Sequence, residues 1–111
     1  MPAIVAALAG GLRRRGFKVL VAHDGQAALA VIEGHDDGID LLVSDVMMPG
    51  MNGIELARAA LRVRPGLAVL LSAGYAFDAI EKLGGHRDEF PMMSKPYSVA
   101  SLVARIREVL A

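Results

Sequence analysis

Leu41-Leu42-Val43-Ser44-Asp45-Val46-Met47-Met48-Pro49-Gly50-Met51-Asn52-Gly53 is the stretch whose reading decides the fold. A continuous apolar run from Ile39 to Ser44 reads as a strand buried on both faces. It delivers one acid, Asp45, into a turn made by Pro49, Gly50 and Gly53. A carboxylate so placed sits at the strand's C-terminal end, where open α/β sheets put their ligands and chemistry.

Working outward, helices and strands alternate. After the turn, Ile54 to Val63 is expected as a helix with Leu56, Ala57, Ala60 and Leu61 on its apolar side, stopped by Pro65-Gly66. Leu67 to Leu71 is an apolar strand that ends in Ser72-Ala73-Gly74. Ala76 to Leu83 is a weaker helix, broken at Gly84-Gly85. Phe90 to Ser94 is a short strand that delivers Lys95 and Pro96, and Ser98 caps a closing helix from Val99 to Leu110. Before the central stretch, Phe17 to Ala22 is a strand, His23-Asp24-Gly25 a turn, and Gln26 to Glu33 a helix that buries Ala28, Leu29 and Ile32. At the start, Pro2 suits a first helical turn, Ile4, Val5, Leu8 and Leu12 follow at helical spacing, and Arg13-Arg14-Arg15-Gly16 reads as a solvated helix end. This alternation predicts one α/β domain with a parallel sheet and helices on both faces.

The bulk composition bounds the function. At 111 residues the chain is one domain, and 54% apolar content excludes a disordered segment. Twelve basic residues balance twelve acidic ones, so no basic surface for nucleic acid is expected. No cysteine is present, which removes disulfides and thiolate metal sites and fits a cytoplasmic setting. No apolar run approaches the roughly 20 residues that span a bilayer. His35, Asp36 and Asp37 lie in a glycine-flanked loop without a second ligand cluster, so they are read as loop and not as a metal site.

Three predicted strands end in a polar or charged side chain: Asp45, Ser72 and Lys95. In a parallel sheet these ends share one edge. Asp45 is an anionic oxygen nucleophile suited to a phosphoryl group. Lys95 is a point charge that pairs first with Asp45 and then with added phosphate oxygens. Ser72 donates one hydrogen bond to a phosphoryl oxygen.

These residues resemble the receiver domains of response regulators. Asp45-Val46-Met47-Met48-Pro49-Gly50-Met51-Asn52-Gly53 is similar to the family's phosphoacceptor segment, Ser72-Ala73 to its Ser/Thr-Ala pair, and Lys95-Pro96-Tyr97 to its Lys-Pro-aromatic triplet. Ala22-His23-Asp24-Gly25-Gln26-Ala27-Ala28-Leu29 resembles the segment after its second strand. The resemblance implies a flavodoxin-like fold and transfer of a phosphoryl group to Asp45 from a histidine kinase or histidine phosphotransfer protein. It implies Mg2+ touching Asp45 and the backbone carbonyl of Met47, a cis Lys95–Pro96 bond, and a contact face near residues 76–83, 90–94 and 99–110. It also implies a phosphoacceptor, with at most weak self-catalysed phosphotransfer and dephosphorylation, rather than an enzyme.

The departure from the family is at the front. Receiver domains begin with a strand that ends in a pair of acids, and here the chain starts at Met1-Pro2, read as helix. Residues 1–111 are therefore expected to be a receiver domain truncated at its N-terminus, lacking the first strand and its acids. Since that strand is internal in the family's order, the chain is expected either to pair its first two strands directly or to take a strand from another copy or partner. Without the acids, Mg2+ binding is expected to be weak and phosphorylation of the isolated chain slow. Met92 stands where many receivers carry an aromatic switch residue. The alternative reading is a degenerate receiver that works by protein contact without phosphorylation. A phosphatase of the haloacid dehalogenase type is disfavoured, because the position two residues after Asp45 is Met47, which cannot act as a general acid.

Overall fold

Ala3–Ala6, whose surrounding apolar spacing predicts a helix, is instead an internal strand of a parallel sheet. The computed structural model describes residues 3–6, 12–36, 38–48, 50–73, 89–95 and 97–111. In chain order they form β1 (Ala3–Ala6), a 3-10 turn (Arg13–Arg15), β2 (Lys18–Val21), α1 (Gly25–Gly34), β3 (Leu41–Asp45), α2 (Gly53–Val63), β4 (Ala68–Ala73), β5 (Met92–Ser94) and α3 (Val99–Leu110). The expected helix over 76–83 and the Lys95–Pro96 bond lie outside the described residues.

The sheet has five strands in the order β2-β1-β3-β4-β5, with every pairing parallel. Two expectations are corrected here. The internal slot is not missing its strand, since the chain's own residues 3–6 fill it: Ala3–Ala6 pair with Lys18–Val21 on one side, and Ile4–Ala6 with Leu41–Val43 on the other. The place expected for a donated strand is thus taken, and β2 and β3 do not pair directly. The reason is tertiary. A slot between two strands offers hydrogen bonds on both sides, each worth about 1 kcal/mol net. A short isolated helix is marginal in water, and β-branched Ile4 and Val5 suit a pleated surface. The helical spacing of Ile4 and Val5 is outweighed by these pairings; Arg13–Arg15 form a single tight turn, and the part of the expected helix over residues 7–11 lies outside the described residues.

Side chains alternate across β3 and β4 and feed two core layers. Leu42, Val46, Val69, Leu71 and Ala73 face α1 and α2, meeting Ile32, Leu56, Ala57 and Ala60. Leu41, Val43 and Leu70 face α3, meeting Leu102, Val103 and Ile106, with Leu12 and Phe17 completing that layer. Of the predicted elements from Phe17 onward that fall on described residues, α3 has the expected bounds, and the others shift by one or two residues. One such shift has meaning: β4 runs through Ser72 to Ala73, so Ser72 is a strand residue rather than the start of a loop.

The helices are closed by specific polar contacts. Asp24 caps α1 by accepting from the Ala27 N–H at 2.7 Å. Asn52 and Glu55 form a reciprocal capping box at the start of α2. Ser98 caps α3 through the Ser101 N–H. At the other end of α1, the Arg64 guanidinium donates to the Ile32 carbonyl at 2.9 Å and to the His35 carbonyl at 2.5 Å. It satisfies end carbonyls that the helix cannot, and places a cation where the dipole favours one. It also ties α1 to the end of α2. Arg58 on α2 is held by a two-pronged ion pair with Glu89, at 2.7 and 2.8 Å, and the hydrogen bond to that carboxylate raises the Arg58 pKa further above its usual value.

Replacing Arg64 with Ala is expected to destabilise the protein by about 1–3 kcal/mol, the worth of hydrogen bonds made by a charged donor. Urea unfolding monitored by circular dichroism measures this. A loss no larger than for the exposed Arg62→Ala would show that the clamp contributes nothing.

Candidate functional site at the C-terminal edge of the sheet

The register of the sheet builds the site. Asp45, the last residue of β3, lies directly opposite Ser72 in the ladder to β4. The same ladder continues into the turn, where the Val46 N–H donates to the Ser72 carbonyl at 2.8 Å. On the far side, β5 pairs with β4 through Ser94, and the next residue, Lys95, extends the pairing by donating its N–H to the Ala73 carbonyl at 2.9 Å. Three neighbouring strands thus bring Asp45, Ser72 and Lys95 to one edge, as their spacing in the sequence predicts.

The side chains meet on one atom. Ser72 donates its hydroxyl to Asp45 Oδ1 at 2.6 Å, and Lys95 Nζ stands 2.9 Å from the same oxygen. Among the described residues, Asp45 Oδ2 has no partner. The Asp45 side chain is 22% exposed and that of Lys95 37%, whereas Ser72 is buried. Both described contacts of the carboxylate therefore fall on one oxygen, Oδ1, and the side chain as a whole is partly exposed. The Lys95 pair is too exposed to add much stability, since such pairs contribute about 0–1 kcal/mol. Its place at the sheet edge is better explained by chemistry than by folding.

The turn that carries Asp45 is fixed from behind. Gly53, the first residue of α2, donates its N–H to the Val46 carbonyl at 2.9 Å. A Cβ on Gly53 would lie 2.2 Å from the Asp45 carbonyl oxygen, so only glycine lets the helix start this close to the strand end. Gly50 adopts φ +74, the left-handed conformation that glycine reaches without strain. Gly25 is tight against Met51, which seats the β2–α1 turn on the loop after Asp45. Sequence reading did not single out Ser44. It is buried, and its hydroxyl donates to the Asp45 carbonyl at 3.0 Å, with Met48 Sδ at 3.6 Å. The signal was available, since Ser44 is the one polar residue in an otherwise apolar run from Leu41 to Val43. Met92 packs against the layer formed by α1 and α2. His35 and Asp36 gather no further ligand, and no group of three or more metal-ligating side chains occurs among the described residues.

The family model of the response regulator receiver domain matches residues 1–107. The chain belongs to this family. It is 41% identical over 100 residues to the transcriptional regulatory protein CpxR of Escherichia coli, covering 89% of this chain and 41% of CpxR. It is 37% identical to the sensory transduction protein RegX3 of Mycobacterium tuberculosis, covering 89% and 42% of the two chains. It is 33% identical to the sensor kinase CckA of Brucella abortus, covering 89% of this chain and 10% of that one. The receiver domain thus spans less than half the length of these relatives. Among solved structures, the receiver domain of the hybrid histidine kinase CckA superposes with a TM-score of 0.79 at 28% identity, each chain covered in full. The chemotaxis protein CheY4 of Vibrio cholerae gives 0.82 at 23% identity over 99% of both chains, a likeness of fold. The fold is flavodoxin-like, and the family is a phosphoacceptor signalling domain of two-component systems that works with histidine kinases.

Receiver domains generally bind Mg2+. Mg2+ takes six hard oxygen ligands in near-ideal octahedral geometry. The described edge offers one carboxylate, Asp45, already engaged by an ammonium, and the carbonyl of Met47 is a donor only by family resemblance. No Asp or Glu occurs anywhere in residues 1–23, so nothing on β1 or just after it can add a second. Asp24 and Glu55 serve as helix caps. These residues do not fit the ion.

Gly53→Ala is expected to cost about 1–3 kcal/mol, as a methyl group forced against backbone cannot be relieved by a rotamer change. Gly66→Ala, which meets open space, serves as the control and is expected within about 0.5 kcal/mol of the parent. Equal unfolding midpoints for the two variants would refute the close approach.

Proposed function

We propose that residues 1–111 act as one receiver domain that accepts a phosphoryl group on Asp45 from the phosphohistidine of a histidine kinase or histidine phosphotransfer protein. The reading rests on a single observation: Ser72 and Lys95 both engage Asp45 Oδ1, which leaves Oδ2 open as the nucleophile. The open oxygen attacks phosphorus, an oxygen–phosphorus bond forms, and the nitrogen–phosphorus bond of the donor breaks. The bonding pair leaves with the imidazole nitrogen, which takes up a proton from water. Lys95 then pairs with the new phosphoryl oxygens, and Ser72 turns its hydroxyl to one of them. No step calls for a group that this chain cannot supply.

Movement of these two side chains is the natural origin of a signal. Lys95 follows β5, and Ser72 lies within β4, so a change at Asp45 is felt along two strands and at the α3 face. The setting that fits such a domain is the cytoplasm, and among the described residues no helix is long and apolar enough to cross a membrane. A regulator such as CpxR and a kinase such as CckA offer two contexts in which the domain would work.

A second reading is favoured by one observation, the absence of any acid in residues 1–23. Under it the domain signals through protein contact, and the Asp45–Lys95 pair is a permanent part of its surface.

Incubation with phosphoramidate, or with a phosphorylated histidine kinase, separates the two. Intact-mass measurement is expected to show gain of one phosphoryl group, labile to hydroxylamine and lost in Asp45→Asn. Lys95→Ala is expected to slow the reaction by about 10- to 100-fold, in line with loss of one charge stabilising the transferred group. No phosphoryl gain from either donor would transfer the conclusion to the second reading.

A further inference from the structure

We infer that the ammonium of Lys95 takes the place of a metal ion at this site, so that Asp45 stays free of Mg2+ and its phosphorylation is indifferent to that ion. The second half of this statement rests on the acceptor role proposed above, and the first half does not.

The charge count is short. The described edge contains one carboxylate and one ammonium, 2.9 Å apart, so the pair is neutral. A divalent ion is drawn to a site by uncompensated negative charge and by hard oxygens free to turn toward it. Asp45 Oδ1 is occupied by Lys95 and by the Ser72 hydroxyl, both of them donors. A cation approaching Oδ2 would stand within a few ångströms of the ammonium and be repelled by it. Nor can an acid arrive from the neighbouring strand. The register sets Ala6, the last residue of β1, beside Val43, two residues before Asp45. The residues that follow, Ala7-Leu8-Ala9-Gly10-Gly11, carry no side-chain oxygen.

The same arrangement suits a dianionic phosphoryl group. Lys95 is an exposed point charge on a flexible stem, able to follow negative charge as it moves from the carboxylate to the phosphoryl oxygens. Ser72 is fixed in the strand and supplies a directed donor beside it. Both functions usually asked of a metal, neutralising charge and orienting oxygens, are thus available from the chain itself.

The test has two arms on the full chain. In the first, amide resonances around residues 45–48 and 95 are followed by NMR while MgCl2 is raised to about 20 mM, far above the level that fills a working site. The expected result is a small linear drift with no saturation. Saturable shifts with a midpoint below about 5 mM, abolished in Asp45→Asn, would overturn the inference whether or not the protein is ever phosphorylated. Lys95→Gln, at an exposed position, removes the competing charge and is expected to tighten Mg2+ binding at least about fivefold. If that variant is as silent as the parent, Lys95 is not what keeps the ion out, and the inference fails. In the second arm, the rate of Asp45 phosphorylation by phosphoramidate is compared in EDTA and in MgCl2. Rates within about twofold are expected, and a loss of about tenfold or more in EDTA would show a metal at work. Absence of phosphorylation in both buffers, with a silent first arm, removes the acceptor reading and leaves the metal-free site established.

Discussion

Asp45 and Ser72 are partners in the parallel ladder between β3 and β4, and the rest of the sheet edge is arranged around that pairing. A parallel ladder holds residue against residue, so a shift by one position would turn Asp45 toward the opposite core layer and separate it from Ser72. The apolar content of the two strands prevents the shift. Leu41 and Val43 belong under α3, and Leu42 belongs under α1 and α2. Hydrophobic burial therefore sets the register, and the register sets the site. Lys95 is brought in by the same logic one strand further on, through its own backbone bond to Ala73.

The turn behind Asp45 shows how little freedom the site has. Gly53 begins α2 against the carbonyl of Asp45, and the buried Ser44 hydroxyl reaches that same carbonyl. The carboxylate thus projects from a peptide held on two sides. Placement of the carboxylate comes from rigid elements.

Much of this was legible in the sequence. Continuous apolar runs marked β3 and β4 as buried strands, and the acid, hydroxyl and lysine at three strand ends predicted their convergence. The motifs from Asp45 to Gly53 and at Lys95-Pro96-Tyr97 resembled one family, to which the chain belongs. At the beginning, Ala3–Ala6 is a strand where the spacing predicts a helix. Ile4, Val5, Leu8 and Leu12 satisfy a helical period, but Ile4 and Val5 are equally good strand residues, and periodicity over so short a run cannot separate the two. Arg64 and Ser44 escaped notice for a different reason. Their partners are carbonyl groups, which carry no mark in an amino-acid sequence.

The sequence by itself determined the class of fold, the described elements from Lys18 onward to within two residues, the convergence of Asp45, Ser72 and Lys95, and the absence of acids before Asp24. These follow from local pattern and composition, which act residue by residue. Only the tertiary structure decided that Ala3–Ala6 becomes an internal strand, because an open slot with pairing on both sides outweighs the helical preference of a short segment. Only the tertiary structure decided that Ser72 and Lys95 share Oδ1 of Asp45 and leave Oδ2 open, because that choice depends on register and side-chain reach across three strands.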